Sequence, residues 1–238
     1  MSPDKTIRDA ANEASQRLRK YDVEKATRKD VFDVLQAIDA AKPALEPQWQ
    51  RYLDRLLRDK KRLGLHLPEA ERQVIKQLQE DMSKLGLEFS KNLNEENTSF
   101  LFTKDELKGI PDDVLQGFPK EAAAEAGVAE KYKVSLKYPD YYPAMKYLQN
   151  PEVRRTLQTG FDSRCKDTNT AILEDLIQKR AEMAAILGFP THSAYITAIR
   201  MASSPEKVAA FLKDLSDRLE PLVQQGTLRN KQKIKINK

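Results

Sequence analysis

Residues 68–94 read PEAERQVIKQLQEDMSKLGLEFSKNLN, and the spacing of their apolar side chains decides the fold class. Ile75, Leu78, Met82, Leu85, Phe89 and Leu93 recur every three or four positions, so they share one face of a helix with 3.6 residues per turn. A half-buried strand needs strict alternation instead, and this stretch does not alternate. Such a stripe has to be covered by other apolar surface.

Reading outward in both directions, further helices announce themselves by their first residues. Ser2-Pro3 places a cap before a proline at the first helical position, and Ile7, Ala10, Ala14, Leu18 and Tyr21 follow at helical spacing. Thr27 with Asp30 approximates a capping box ahead of Val31, Phe32, Leu35 and Ile38. A third helix carries Trp49, Leu53 and Leu56 and stops near Gly64. Beyond the middle of the chain, Asn150-Pro151 opens a helix through Val153, Leu157 and Phe161, and another runs from about Thr170 to Leu187, closed by Gly188. Thr191 caps the next, and Ser204-Pro205-Glu206 opens the last, with Val208, Phe211, Leu212, Leu215, Leu219 and Leu222 as its stripe. These stripes read as core faces.

The middle has a different period. SFLFTKDEL (99–107) is a short apolar run leading into Thr103-x-x-Glu106, a capping box, and KYKVSLKYP (131–139) alternates Tyr132, Val134, Leu136 and Tyr138 against lysine and serine. The two runs are predicted to pair. Between them KEAAAEAGVAEK (120–131) has no large apolar side chain and reads as an exposed turn or loop. The expected fold is therefore mainly α, a multi-helix lobe with a small antiparallel β element near residues 99–138.

Charge separates the end of the chain from the rest. The formal net charge is +5, and residues 224–238 hold Arg229, Lys231, Lys233, Lys235 and Lys238 with no acid, which leaves 36 bases and 36 acids elsewhere. A basic run at a terminus reads as a disordered, solvated end, so no nucleic-acid partner is expected. The expected division is a lobe over residues 1–223 and a divergent basic tail over 224–238. With 32% charged residues and only 8 glycines, the helices should be long and solvated. One cysteine excludes an intrachain disulfide and suits a reducing compartment. No apolar leader or membrane-length run is present, so the expected location is the cytoplasm, without membrane contact.

The chain is poor in catalytic chemistry. A catalytic zinc usually takes two histidines one helical turn apart, a third protein ligand and a nearby glutamate, and this sequence has only His66 and His192, each without a partner histidine four residues away. A site built from His66, His192 and Cys165 is weighed against structural roles, and the structural roles are preferred. Arg164 and Lys166 flank Cys165, an arrangement that lowers a thiol pKa, but no base is positioned beside it by the sequence. Phosphate-binding and nucleophile-elbow motifs are missing as well. The residues by themselves predict no catalytic, cofactor-binding or metal-binding position.

Longer stretches carry a resemblance. YDVEKATRKDV with FDVLQAI (21–38), KRLGLHLPE (61–69), FSKNLNEENTSFLFTKDELKGIPDDVLQGF (89–118), YKVSLKYPDYYPAMKYL (132–148), PEVRRTLQTGFDSRCKDTNTAILEDLI (151–177), ILGFPTHSAYI (186–196) and FLKDLSDRLEPL (211–222) together resemble the thimet oligopeptidase, neurolysin and saccharolysin family. The resemblance runs in order from about Ser2 to Leu222 and implies a zinc metallo-endopeptidase that cleaves short peptides in a channel between two helical lobes. The family's H-E-F-G-H zinc motif matches no position here, so none of its catalytic residues carries over. What is implied is the amino-terminal lobe, inactive and zinc-free by itself, with Zn2+ belonging to the full-length family. The tail is then expected to be foreign to the family pattern. Further expectations are short-peptide binding, self-association through an exposed lobe interface, and a mitochondrial location if an upstream targeting segment exists.

Overall fold

The computed structural model describes residues 4–121 and 131–236, with side chains to residue 227. The Ser2-Pro3 helix start and most of the segment 120–131 lie outside the described residues. Ten helices and three strands occur among the described residues, which makes the chain mainly α. Two compact units divide it: residues 1–82 with 177–238, and residues 83–176.

In the first unit, α1 (Lys5–Ala26), α2 (Lys29–Ala40) and α3 (Pro47–Arg62) precede the start of α4 (Glu69–Glu95). Phe32 of α2 is fully buried against Leu53 and Leu57 of α3 and Leu65 beyond it. Leu57, not Leu56, is the buried partner. The turn out of α3 passes through Gly64 at φ +82, a backbone conformation that favours glycine. A second cluster joins Ile75 and Leu78 of α4 to Met183 and Ala184 of α8 (Lys166–Ile186) and Tyr195 of α9 (His192–Thr197). The end of α8 is a Schellman motif: Phe189 N–H reaches the Ala184 carbonyl at 2.9 Å and Gly188 N–H the Ala185 carbonyl at 3.0 Å. Gly188 has φ +79, as the motif requires.

Two readings need correction here. Thr27 does not cap α2. Its hydroxyl donates to the Val23 carbonyl at 2.8 Å and closes α1, while Asp30 pairs with Arg28. The stripe of α1 is not a core face, since no residue of that helix is buried, and the stripe of α10 (Pro205–Ile236) is open as well, with Phe211 67% and Leu222 62% exposed. The backbone of residues 224–236 continues α10 through Ile236. Gln, Leu, Arg and Lys are strong helix formers, and their propensity sustains the backbone where apolar periodicity ends.

In the second unit, β1 (Ser99–Phe102) and β2 (Lys120–Glu121) flank β3 (Lys131–Ser135), all antiparallel. The predicted pairing of the two apolar runs is present, with Phe100 opposite Val134 and Phe102 opposite Tyr132. Period-two alternation sends Tyr132 and Val134 into a core completed by Leu107, Ile110, Leu115 and Phe118 and by Tyr141, Ala144, Val153 and Leu157. The last four come from α6 (Tyr138–Tyr147) and α7 (Pro151–Asp162), whereas Leu115 belongs to the short α5 (Asp112–Gln116). Asn150 caps α7 as expected, accepting from Glu152 N–H at 3.0 Å. The Thr103–Glu106 box also forms, but it stabilises a turn: Glu106 accepts from Thr103 N–H at 2.7 Å while no helix follows. Gly160 of α7 lies so close to Phe100 that a Cβ would stand 2.8 Å from the ring.

Candidate functional site

The first unit carries an open groove of about 580 Å³ along the end of α3. Residues four apart on a helix share a face, so Leu57 and Lys61, and likewise Asp54, Arg58 and Arg62, line one wall. Phe189, folded back by the turn at Gly188, joins Leu187 and Ile199 in the apolar part of the lining. A second hollow of about 490 Å³ is also lined by Asp39, Leu57 and Lys61.

Arg62 holds the groove together. Its Nη2 donates to the Tyr195 carbonyl at 2.7 Å, its guanidinium stands 3.9 Å from the Tyr195 ring centroid, and the Tyr195 hydroxyl donates back to the Arg62 carbonyl at 3.1 Å. Phe189 meets Tyr195 edge to face at 5.3 Å. This reciprocal contact ties the C-terminal turn of α3 to α9. Lys61 and Asp39, by contrast, make no side-chain hydrogen bond or ion pair among the described residues.

The three sequence-weighed residues take separate roles. His66 is exposed and lines the groove. His192, the first residue of α9, is half-buried, and its Nδ1 is buried without a hydrogen-bond partner. Burial, with Arg180 adding to it, pushes its pKa below the ordinary value. Cys165 lies in the second unit at φ +55, with Sγ 3.8 Å from Glu96 Oε2. Its thiol is pushed up, first by burial and then by the Glu96 charge, which reverses the effect read from its basic neighbours. Arg164 is engaged elsewhere: its guanidinium stacks 3.6 Å from the Phe161 centroid.

His66 and His192 belong to the first unit and Cys165 to the second. No group of three or more His, Cys, Asp or Glu placed to hold a metal ion occurs among the described residues. One polar contact escaped sequence reading altogether: buried Asn169 accepts from Asn92 Nδ2 at 2.8 Å and donates to the Phe89 carbonyl at 3.2 Å. Two asparagines 77 positions apart carry no local signal of that pairing. No helix among the described residues is long and apolar enough to cross a membrane.

Comparison with known proteins bears on what such a chain belongs to. Residues 144–238 match Peptidase family M3, and the match takes in residues 224–238, which the charge pattern sets apart. Saccharolysin of Saccharomyces cerevisiae is 33% identical over 226 residues, covering 93% of this chain and 32% of the relative. Thimet-like oligopeptidase of Dictyostelium discoideum is 31% identical, covering 92% of this chain and 33% of the relative. Oligopeptidase A of Escherichia coli is 30% identical over 183 residues. The chain spans about a third of the length of the first two relatives.

Proposed function

We propose that this chain, an M3-family oligopeptidase sequence by these comparisons, forms a helical, peptide-handling portion of such an enzyme and does not hydrolyse peptides by itself. The carrying observation is likeness to oligopeptidases over 92–93% of the chain combined with a sequence that holds two histidines and no H-E-x-x-H. The family resemblance implies zinc as Lewis acid and activator of water, a task that needs three convergent protein ligands. Those ligands are not assembled from the described residues, so no hydrolytic step is assigned to them.

A second reading, a non-catalytic peptide-binding or regulatory form, is favoured by the open groove with its unpaired charges. The exposed stripe of α10, with Phe211, Leu212, Leu215, Leu219 and Leu222 between 42% and 67% exposed, supports self-association. Cytoplasmic location is part of the same proposal. The test is a zinc-supplemented assay of the purified chain on a quenched fluorescent oligopeptide, with bound metal counted. No turnover and no stoichiometric zinc is expected. Chelator-sensitive turnover with about one zinc per chain would overturn the proposal.

A further inference from the structure

We infer that α1 of one copy packs antiparallel against α10 of a second copy, and that two such helix pairs close a twofold dimer. This pairing rests on the self-association proposed for α10 and adds which surfaces meet, in which direction and in which register.

α1 sits inverted in the first unit. Its apolar stripe faces solvent, with Ile7 58%, Leu18 65% and Tyr21 60% exposed, while Arg8, Asp9, Asn12 and Ser15 on the opposite side are half-buried. α10 is exposed on every side from Ala209 to Thr227. Each stripe therefore lacks a cover in the single chain.

The two stripes match in pattern. Ile7, Ala10, Ala14, Leu18 and Tyr21 are separated by steps of three, four, four and three residues, and so are Val208, Phe211, Leu215, Leu219 and Leu222. Laid antiparallel they meet layer by layer: Ile7 on Leu222, Ala10 on Leu219, Ala14 on Leu215, Leu18 on Phe211 and Tyr21 on Val208. The two alanines make room for the leucines they face.

Charge fixes the direction. At roughly 100° per residue, Glu13, Arg17 and Glu24 lie along one edge of the α1 stripe, and Arg218, Asp214 and Lys207 along the edge of α10 that an antiparallel partner meets. Steps of four and then seven residues separate both triplets, so negative, positive, negative on α1 faces positive, negative, positive on α10. A parallel arrangement loses the match, because four-seven then runs against seven-four. All six residues are exposed, and Asp214 with Arg218 already pairs along α10 at 2.9 Å, a contact that the partner's charges extend into a network. Seven stripe side chains between 42% and 67% exposed, taken in both helix pairs with the stems of their neighbours, put the interface on the order of 1,500 Å², the size of a stable complex. Pairing α10 with another α10 would leave the α1 stripe in water.

The experiment is sedimentation of the whole chain. A dimer with a Kd on the order of 10 µM is expected, dissociating toward monomer near 1 µM. Glu13→Arg sets like charges opposite Arg218 in both helix pairs and should weaken the dimer about tenfold, as should Arg218→Glu; the two together restore opposite signs and should recover most of the loss. An unchanged circular dichroism spectrum verifies folding. Ala14→Cys with Leu215→Cys in a Cys165→Ser chain, oxidised with copper phenanthroline, should give a disulfide-linked dimer. A dimer indifferent to Glu13→Arg, which α10 on α10 would produce, or a species larger than a dimer, overturns the pairing and leaves self-association standing. A disulfide closed within one chain places α1 on its own α10 and overturns the second copy. A monomer at about 100 µM overturns both pairing and self-association. None of these results bears on the zinc and turnover assay, which tests the non-catalytic reading separately.

Discussion

Replacing Phe32 by alanine tests how the groove wall is held. Phe32 is the fully buried residue of α2 in the cluster of Leu53, Leu57 and Leu65, with Leu35 of the same helix partly buried against it. Leu57 also lines the groove, so the cluster positions the α3 wall. Truncation removes six ring carbons from a site walled on every side, and Phe→Ala changes of this kind cost about 3–5 kcal/mol. Lys29 Nζ lies 5.5 Å from the ring centroid and adds about 0.5 kcal/mol more. A total near 4 kcal/mol is a large share of an ordinary domain's stability. Trp49, the single tryptophan, lies on α3 in an edge contact with Tyr52 at 6.4 Å, so urea unfolding followed by its fluorescence reports the first unit. With a slope of roughly 2 kcal/mol per molar, the midpoint should fall by about 2 M. Phe211→Ala, at a position 67% exposed on α10, should move it by less than about 0.3 M. A Phe32→Ala shift no larger than that of Phe211→Ala would refute the assignment of this cluster as the support of the wall.

Two further outcomes follow from the described geometry. Gly109→Ala should destabilise the second unit by about 3 kcal/mol, since its φ of +102 disfavours a side chain and the new Cβ would stand 2.5 Å from the Tyr147 carbonyl oxygen; amide exchange along β1 and β3 would show the loss. Gly188→Ala, with φ +79 but nothing within 4 Å, should cost only about 1 kcal/mol, and equal costs for the two would contradict the packing argument. His192 sets a pH dependence. Its folded pKa is depressed, so as pH falls through the ordinary histidine value of about 6.5 the unfolded chain takes the proton first and stability declines, while above that window the full stability is retained. The Trp49 urea midpoint should drop from pH 7.5 to 5.5, and His192→Gln should flatten that drop. An unaltered drop in the variant would sink the assignment.

Much of the secondary structure was legible because its signals span three or four residues. The Asn150 cap, the Gly188 stop and the stripe of residues 75–93 each name a local event, and each is present. Thr27 shows the limit of such signals, since the same hydroxyl can serve the helix behind it or the one ahead. Helical periodicity on α1 and α10 gave the helices correctly and their burial wrongly, because amphipathicity specifies a face and not the surface that covers it. The family resemblance was likewise readable from ordered segments spread along the chain.

The candidate site was not readable in advance. The sequence alone determined the helices, the paired apolar runs and the scarcity of metal ligands, since each depends on neighbours close along the chain or on composition. Only the tertiary structure decided that Asp39, Lys61 and Phe189 line one groove, that Arg62 stacks on Tyr195 133 positions away, and that burial, with the Glu96 charge adding to it, raises the Cys165 thiol where its basic neighbours suggest the reverse. The physical reason is that Coulomb, stacking and desolvation energies act through space, and sequence separation carries no information about the distances on which they depend.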